Sequence, residues 1–224
     1  MEPIRLPVPA ARRSIGLRNL VLALAAFAAL PGSPAAAQAL PDGQSQADYA
    51  AWLAADPGAR AAMLSFESYL GAAGVAGIVP AWQLVRTASG WRQCAGAPFE
   101  VAPPAEWPHV VATLKFVRNH VVPVIGPVEA VSAYRDEALN RCAGGAPESA
   151  HRHFYAIDLV PLAPIGRPGL MRSLCKIHDL RGHDYEIGLG FYAFTRFHVD
   201  SRGFRRWGAD GKSATSPCNT GIFE

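Results

Sequence analysis

What the chain lacks narrows its chemistry first. It has no H-E-x-x-H pair, so no metal-binding helix of that kind. None of Ser132, Ser149 and Ser173 stands in a G-x-S-x-G elbow, the turn that exposes a serine nucleophile. No glycine-rich phosphate loop occurs. The four cysteines, Cys94, Cys142, Cys175 and Cys218, match no zinc-ribbon spacing. Apart from one stretch near the start there is no long apolar run, and residues 40–224 hold no internal repeat or low-complexity segment.

That stretch reads as a leader. Arg12, Arg13 and Arg18 precede an unbroken apolar run from Leu20 to Leu30, Pro31-Gly32-Ser33-Pro34 breaks it, and Ala35-Ala36-Ala37 and Ala37-Gln38-Ala39 offer small-x-small cleavage sites. The run is shorter than the ~20 apolar residues a bilayer span needs, which favours a signal peptide over residues 1–39 above a retained anchor. About 185 residues then remain, enough for one domain with a real core. Without the leader, 17 basic and 17 acidic side chains balance, so the basic pI of about 8.8 belongs largely to the leader. Nothing marks a nucleic-acid footprint. An exported chain, periplasmic or extracellular, with an even number of cysteines suggests disulfides. Cys94–Cys142 and Cys175–Cys218 are the favoured pairs, because each joins a loop-like segment to a helix-like one nearby in sequence.

The spacing predicts helices around Asp48–Ala55, over Ala59–Ala73 (Met63, Phe66 and Leu70 on one face), over Pro108–Val121, where Val110, Val111, Leu114, Val117 and Val121 keep a helical period, and over Asp136–Cys142 and Gly169–His178. Pro123, Gly126 and Pro127 are expected to end the third. Strands are expected over Ala81–Arg86, Val128–Arg135 and Phe154–Val160, and as a tight hairpin over Gly188–Tyr192 and Arg196–Asp200. The tail after Trp207 reads as irregular, pinned by Cys218. Residues 40–80 form an N-terminal helical segment and 81–224 the main domain, in an α+β fold.

Within the third strand Asp158 interrupts an apolar run, Tyr155-Ala156-Ile157-Asp158-Leu159-Val160. A buried carboxylate is costly unless paired or bound to metal, so a metal ion, an arginine partner and a loop cap are the readings. His151 lies seven positions earlier, an odd separation that puts it on the opposite face of a straight strand. It therefore belongs to the loop entering the strand, or a bulge intervenes. His198 and Asp200 differ by two and share a face. Two imidazoles and a carboxylate suit zinc, which in catalytic sites takes three protein ligands and leaves the fourth position to water.

These segments resemble the D-alanyl-D-alanine carboxypeptidase-type zinc peptidases, which share a fold with the hedgehog signalling domain. Val131-Ser132-Ala133-Tyr134-Arg135 is similar to their SGYR strand, and Asn140 with Gly144-Gly145 to the turn that follows. Ser149 to Asp158 is similar to S-x-H-x-x-G-x-A-x-D. Gly188-Leu189-Gly190-Phe191-Tyr192, Phe197-His198-Val199-Asp200 and Arg205-Arg206-Trp207 resemble the ending of the exported murein-peptidase branch. The resemblance covers roughly residues 107–208. It implies an antiparallel sheet with packed helices, a zinc ion on His151, Asp158 and His198, and Arg135 gripping a substrate carbonyl or carboxylate. An arginine suits that task through two parallel hydrogen bonds, its other reading being an ordinary surface ion pair.

The sequence departs from the pattern at two places. Phe154 stands where glycine is usual. Thr195 and Arg196 stand where relatives often carry an acid or histidine before the last ligand. Asp200 is then a proton acceptor, or a carboxylate that orients His198. Glu186, His178, His183 and His153 are further candidates, and His151-x-His153 is an alternative metal pair. Trp82, Trp91, Trp107 and Trp207 read as core or cleft-wall residues, with Trp107 and Trp207 able to line a cleft. The resemblance implies zinc-dependent hydrolysis of peptidoglycan stem peptides or cross-links. The alternative is a non-catalytic exported domain with a structural zinc that binds peptidoglycan or a partner protein.

Overall fold

The first two helices start where a side chain can satisfy their free N–H groups. Ser45 and Asp48 form a reciprocal capping box on α1 (Gln46–Ala55), and the Asp56 carboxylate accepts from Gly58 and Ala59 at the start of α2 (Pro57–Ala72). The computed structural model describes residues 42–223, so the leader lies outside the described residues. No helix among those residues is long and apolar enough to cross a membrane.

The long central helix departs instructively from its sequence reading. It begins as α3 (Val110–Phe116), passes through one π turn (Val117–Val121) and ends as α4 (Val122–Ile125), two residues beyond Pro123. Proline lacks an N–H and clashes with the carbonyl four residues back. The π turn, closed by the Val122 N–H on the Val117 carbonyl, absorbs that misfit. Gly126, at φ 82°, then ends the helix in a conformation glycine adopts at no steric cost.

Five strands follow, β1 (Val128–Ser132), β2 (Ala156–Pro161), β3 (Gly188–Phe191), β4 (Phe197–Asp200) and β5 (Arg205–Trp207), ordered β1-β2-β4-β3-β5. The first four pair antiparallel, and β5, for which the sequence suggested no strand, runs parallel to β3 on an edge. Ile157, Leu159, Phe197 and Val199 meet in register and join Leu189 and Phe191 in a core shared with Phe66, Leu70, Val110, Leu114 and Leu174. The fold is α+β. Between strands lie α5 (Glu137–Cys142), capped by Asp136, and α6 (Arg167–Arg181), with α7 (Pro217–Thr220) near the end.

Ala81–Val85 is a 3₁₀ turn, not a strand. Gln83 faces inward as an anchor: its carboxamide oxygen accepts the Ala130 N–H at 3.0 Å. Arg86 beside it is wholly buried, bonding the Gln44 and Ala130 carbonyls and Glu129 at 2.9 Å. Both favoured disulfides, Cys94–Cys142 and Cys175–Cys218, are present. The first staples the loop after Arg86 to the end of α5, and the second ties α7 to α6.

Glu100 donates its backbone N–H to Val85, and its side chain lies half-buried near Asp136. Burial, then the Asp136 charge, push the Glu100 carboxyl up from 4.5 to about 7. The folded chain therefore holds this proton more tightly than the unfolded chain. Its stabilising contribution is full below about 4.5 and is lost as pH rises through about 7. Thermal melts of the wild type against Glu100→Gln should show the wild type losing ground across that window. A constant difference in Tm would count against it.

Candidate metal centre

The β2–β4 ladder sets Asp158 directly opposite His198, which puts both side chains on one face. That face is the one turned away from the Ile157–Val199 core. His151 arrives from the 3₁₀ turn Ala150–His153, capped by Ser149, whose hydroxyl accepts the His151 N–H. The odd spacing to Asp158 is thus resolved by a loop entry. The turn exits through Phe154 at φ 53°, in the left-handed region. Glycine adopts that conformation freely, while a phenylalanine gives up about 1–2 kcal/mol. Its ring is fully buried against Phe66 and Tyr134, which returns a comparable ~1.5–3 kcal/mol. The backbone that a motif glycine serves is therefore kept by a residue that repays its strain through packing.

Hydrogen bonds behind the imidazoles set their tautomers. The His151 Nδ1–H donates to the Ala133 carbonyl at 2.5 Å, and the His198 Nε2–H donates to Asp200 Oδ2 at 2.8 Å. The lone pairs of His151 Nε2 and His198 Nδ1 are left facing each other at 3.2 Å, with Asp158 Oδ1 at 3.2 and 3.0 Å from them. Three acceptors thus converge at a point where the side chains are 1, 4 and 1% exposed for His151, His198 and Asp158. Neutral imidazoles place no proton among them. This arrangement is unfavourable by itself and fits a divalent ion, and the nitrogen and oxygen donors suit zinc.

Two close approaches make the supporting layer possible. A Cβ on Gly188 would sit 2.3 Å from Asp200 Oδ2, and one on Gly190 would sit 2.3 Å from the Trp207 ring. Their absence lets Asp200 tuck against β3, where Arg205 binds both its oxygens at 3.0 and 2.8 Å, and lets Trp207 lie 5.0 Å from the His198 ring. Asp200 also accepts the Arg202 N–H at 2.9 Å. It is wholly buried behind His198, with both oxygens engaged. Asp158 Oδ2, the oxygen turned from the imidazoles, is 2.6 Å from Arg196 and 3.6 Å from Arg135. Arg135 is buried, bonds Tyr192 through its side chain and gives its backbone N–H to the His151 carbonyl at 3.1 Å.

Burial, then the Arg135 charge, push the His151 imidazole down to about 4, so it is neutral at pH 7. Burial also opposes charge on His198, but with no ion bound its contacts with Asp158 and Asp200 outweigh this and raise it, so an ion at the cluster would displace a proton from Nδ1. For Asp158 burial is likewise outweighed, by His151 and Arg196, and the carboxyl is held well below its ordinary range. Burial pushes the Tyr192 phenol up, so its hydroxyl stays a donor.

The three clustered residues line a cleft of about 910 Å³, together with Arg135, Glu148, Tyr192, Arg196 and Trp207. Glu148 gives one oxygen to Arg202 at 3.1 Å. Asp210, another cleft acid, is held by the Thr215 hydroxyl and the Lys212 N–H. The other sequence candidates lie elsewhere. His153 points to Glu106, His178 and His183 stack on Phe204, and Glu186 accepts the Phe204 N–H. Trp107 is buried against Phe66 and Tyr69 rather than in the cleft. Arg196 and Tyr192 are the residues that sequence reasoning passed over. Arg196 sits two positions before His198, and the period of two that links His198 to Asp200 extends to it as well.

Residues 83–200 match the sequence model of the peptidase M15 family. No curated protein and no solved structure matches the chain. Zinc added to chelator-treated protein should raise Tm, by about 2.7 kcal/mol of added stability at one hundred times its dissociation constant. His151→Ala should abolish the rise; an equal rise in that variant would mean the ion binds elsewhere.

Proposed function

The chain belongs to the peptidase M15 family of zinc peptidases of D-alanyl-D-alanine carboxypeptidase type, and from that premise we propose that it hydrolyses an amide bond of a peptidoglycan stem peptide or cross-link. The observation that carries this reading is the convergence of three buried acceptor atoms beside a cleft that also holds Arg135. His151, Asp158 and His198 would hold zinc, which when bound acidifies a water and polarises a carbonyl.

The chain's own residues do the rest. Arg135 grips a carbonyl or carboxylate of the substrate and counters the negative charge that develops there. The Tyr192 hydroxyl oxygen accepts from Arg135 and fixes its fork. Asp200 holds the tautomer and aim of His198, the task of a carboxylate behind a ligand histidine. With both its oxygens engaged, it is a poor proton acceptor. Glu148, a loop acid on the cleft with one oxygen outside its pairing with Arg202, takes the proton and passes it to the leaving amine. Two disulfides support export to an oxidising compartment. The second reading, a peptidoglycan- or partner-binding domain with structural zinc, is favoured by one observation: Arg196 occupies a place where relatives often carry an acid.

Mass spectrometry of purified cell-wall fragments, incubated with and without chelator, tests the proposal. Chelator-sensitive loss of one D-alanine means carboxypeptidase action, and opening of cross-linked dimers means endopeptidase action. No product from any fragment favours the binding domain. Glu148→Gln should lower kcat about 10²–10⁴-fold with zinc affinity unchanged. Asp200→Asn should weaken zinc binding by about 10–100-fold. The reverse pattern would exchange the two roles.

A further inference from the structure

The two oxygens of Asp158 do different work, and one arginine separates them. Oδ1 faces the two imidazole lone pairs, at 3.2 and 3.0 Å. Oδ2 accepts from the Arg196 NH2 group at 2.6 Å. The same guanidinium donates through NH1 to the Ser89 hydroxyl at 2.8 Å, and its centre lies 5.4 Å from the Tyr192 ring. Its Nε is buried without a partner. All its polar contacts therefore run through two terminal nitrogens, one on the carboxylate and one on the loop stapled by Cys94–Cys142. Arg135, the other cation near Oδ2, is 3.6 Å away, beyond ordinary hydrogen-bond range.

We propose that Arg196 is a positioning residue for the metal carboxylate: it occupies Oδ2, so Asp158 presents Oδ1 alone to the ion. A carboxylate free to turn can bring both oxygens to a metal and add a fifth ligand to the three protein atoms and one water of a catalytic site. A guanidinium anchored at its far side to Ser89 prevents that rotation. Partners that hold a ligating carboxylate in this way are part of a metal site's affinity and geometry. The Cys94–Cys142 loop thereby contributes to the centre without contacting it. This inference rests on the metal-centre reading given above.

The test compares wild type, Arg196→Gln, Arg196→Lys and Ser89→Ala. Zinc affinity is measured by competition with a chromophoric chelator, and coordination number by the visible absorption of the cobalt-loaded protein. Arg196→Gln should bind zinc about 10–100-fold more weakly. Its cobalt spectrum should move from the intense four-coordinate form toward the weaker five-coordinate one. Ser89→Ala should move both readouts the same way by less, and adding it to Arg196→Gln should change nothing further. Ser89→Ala and Arg196→Lys carry the test if Arg196→Gln does not fold. Unchanged or tighter zinc binding with an unchanged cobalt spectrum overturns the proposal, the second outcome meaning that charge repulsion is the arginine's only effect on the ion. A raised KM with both metal readouts intact also overturns it, and makes Arg196 a substrate contact. Wild-type protein that binds no zinc removes the metal reading itself; wild type that binds zinc beside an equally competent Arg196→Gln removes only this inference.

Discussion

Three acceptor atoms that meet in a protein interior need a proton or a cation among them. His151 Nε2, His198 Nδ1 and Asp158 Oδ1 stand 3.0–3.2 Å apart, nearly sealed from solvent. Leaving buried polar groups uncompensated costs several kcal/mol, and the surrounding structure is organised around that cost. The Ala133 carbonyl and Asp200 turn the imidazole N–H groups outward. Arg196 takes the second oxygen of Asp158. Each of these bonds removes the freedom by which the cluster could relax, so the lone pairs stay aimed at a common point.

The fold supplies this stiffness through backbone register rather than through the site itself. Asp158 and His198 are opposite one another because Ile157 and Leu159 must meet Val199 and Phe197 on the core face. A slip of one residue would bury the polar face and expose the apolar one. Phe154 holds the loop carrying His151 by sinking its ring among Phe66 and Tyr134. The two disulfides close loops of 48 and 43 residues, each worth about 4 kcal/mol in a chain-entropy account. One of them fixes the loop from which Ser89 reaches Arg196.

Around the cluster, charge is sorted by depth. Asp200 and Arg205 neutralise each other behind His198. Arg135 and Arg196 flank Asp158 at the cleft wall. A buried guanidinium keeps its charge in surroundings where other cations lose theirs. The cleft wall therefore holds fixed positive charge beside Asp158.

Much of this was legible in the sequence because it obeys short-range periodicity. The helical spacing of Met63, Phe66 and Leu70, the hairpin around β3 and β4, the cysteine partners and the spacing of His151, Asp158 and His198 all follow from residue type and order. Other features came only with tertiary contacts. Ala81–Val85 is apolar enough to pass for a strand, yet Gln83 anchors it as a 3₁₀ turn on β1. Pro123 reads as a helix end, yet a π turn carries the helix past it. Whether Asp200 accepts a proton or steadies a histidine depends on which oxygens are already bound. That Arg196 serves Asp158 depends on two strands meeting in one register. Local sequence could nominate the ligands, since ligand chemistry resides in single side chains. Only the folded chain could decide which atom of each faces the common point, since that is settled by partners distant in sequence.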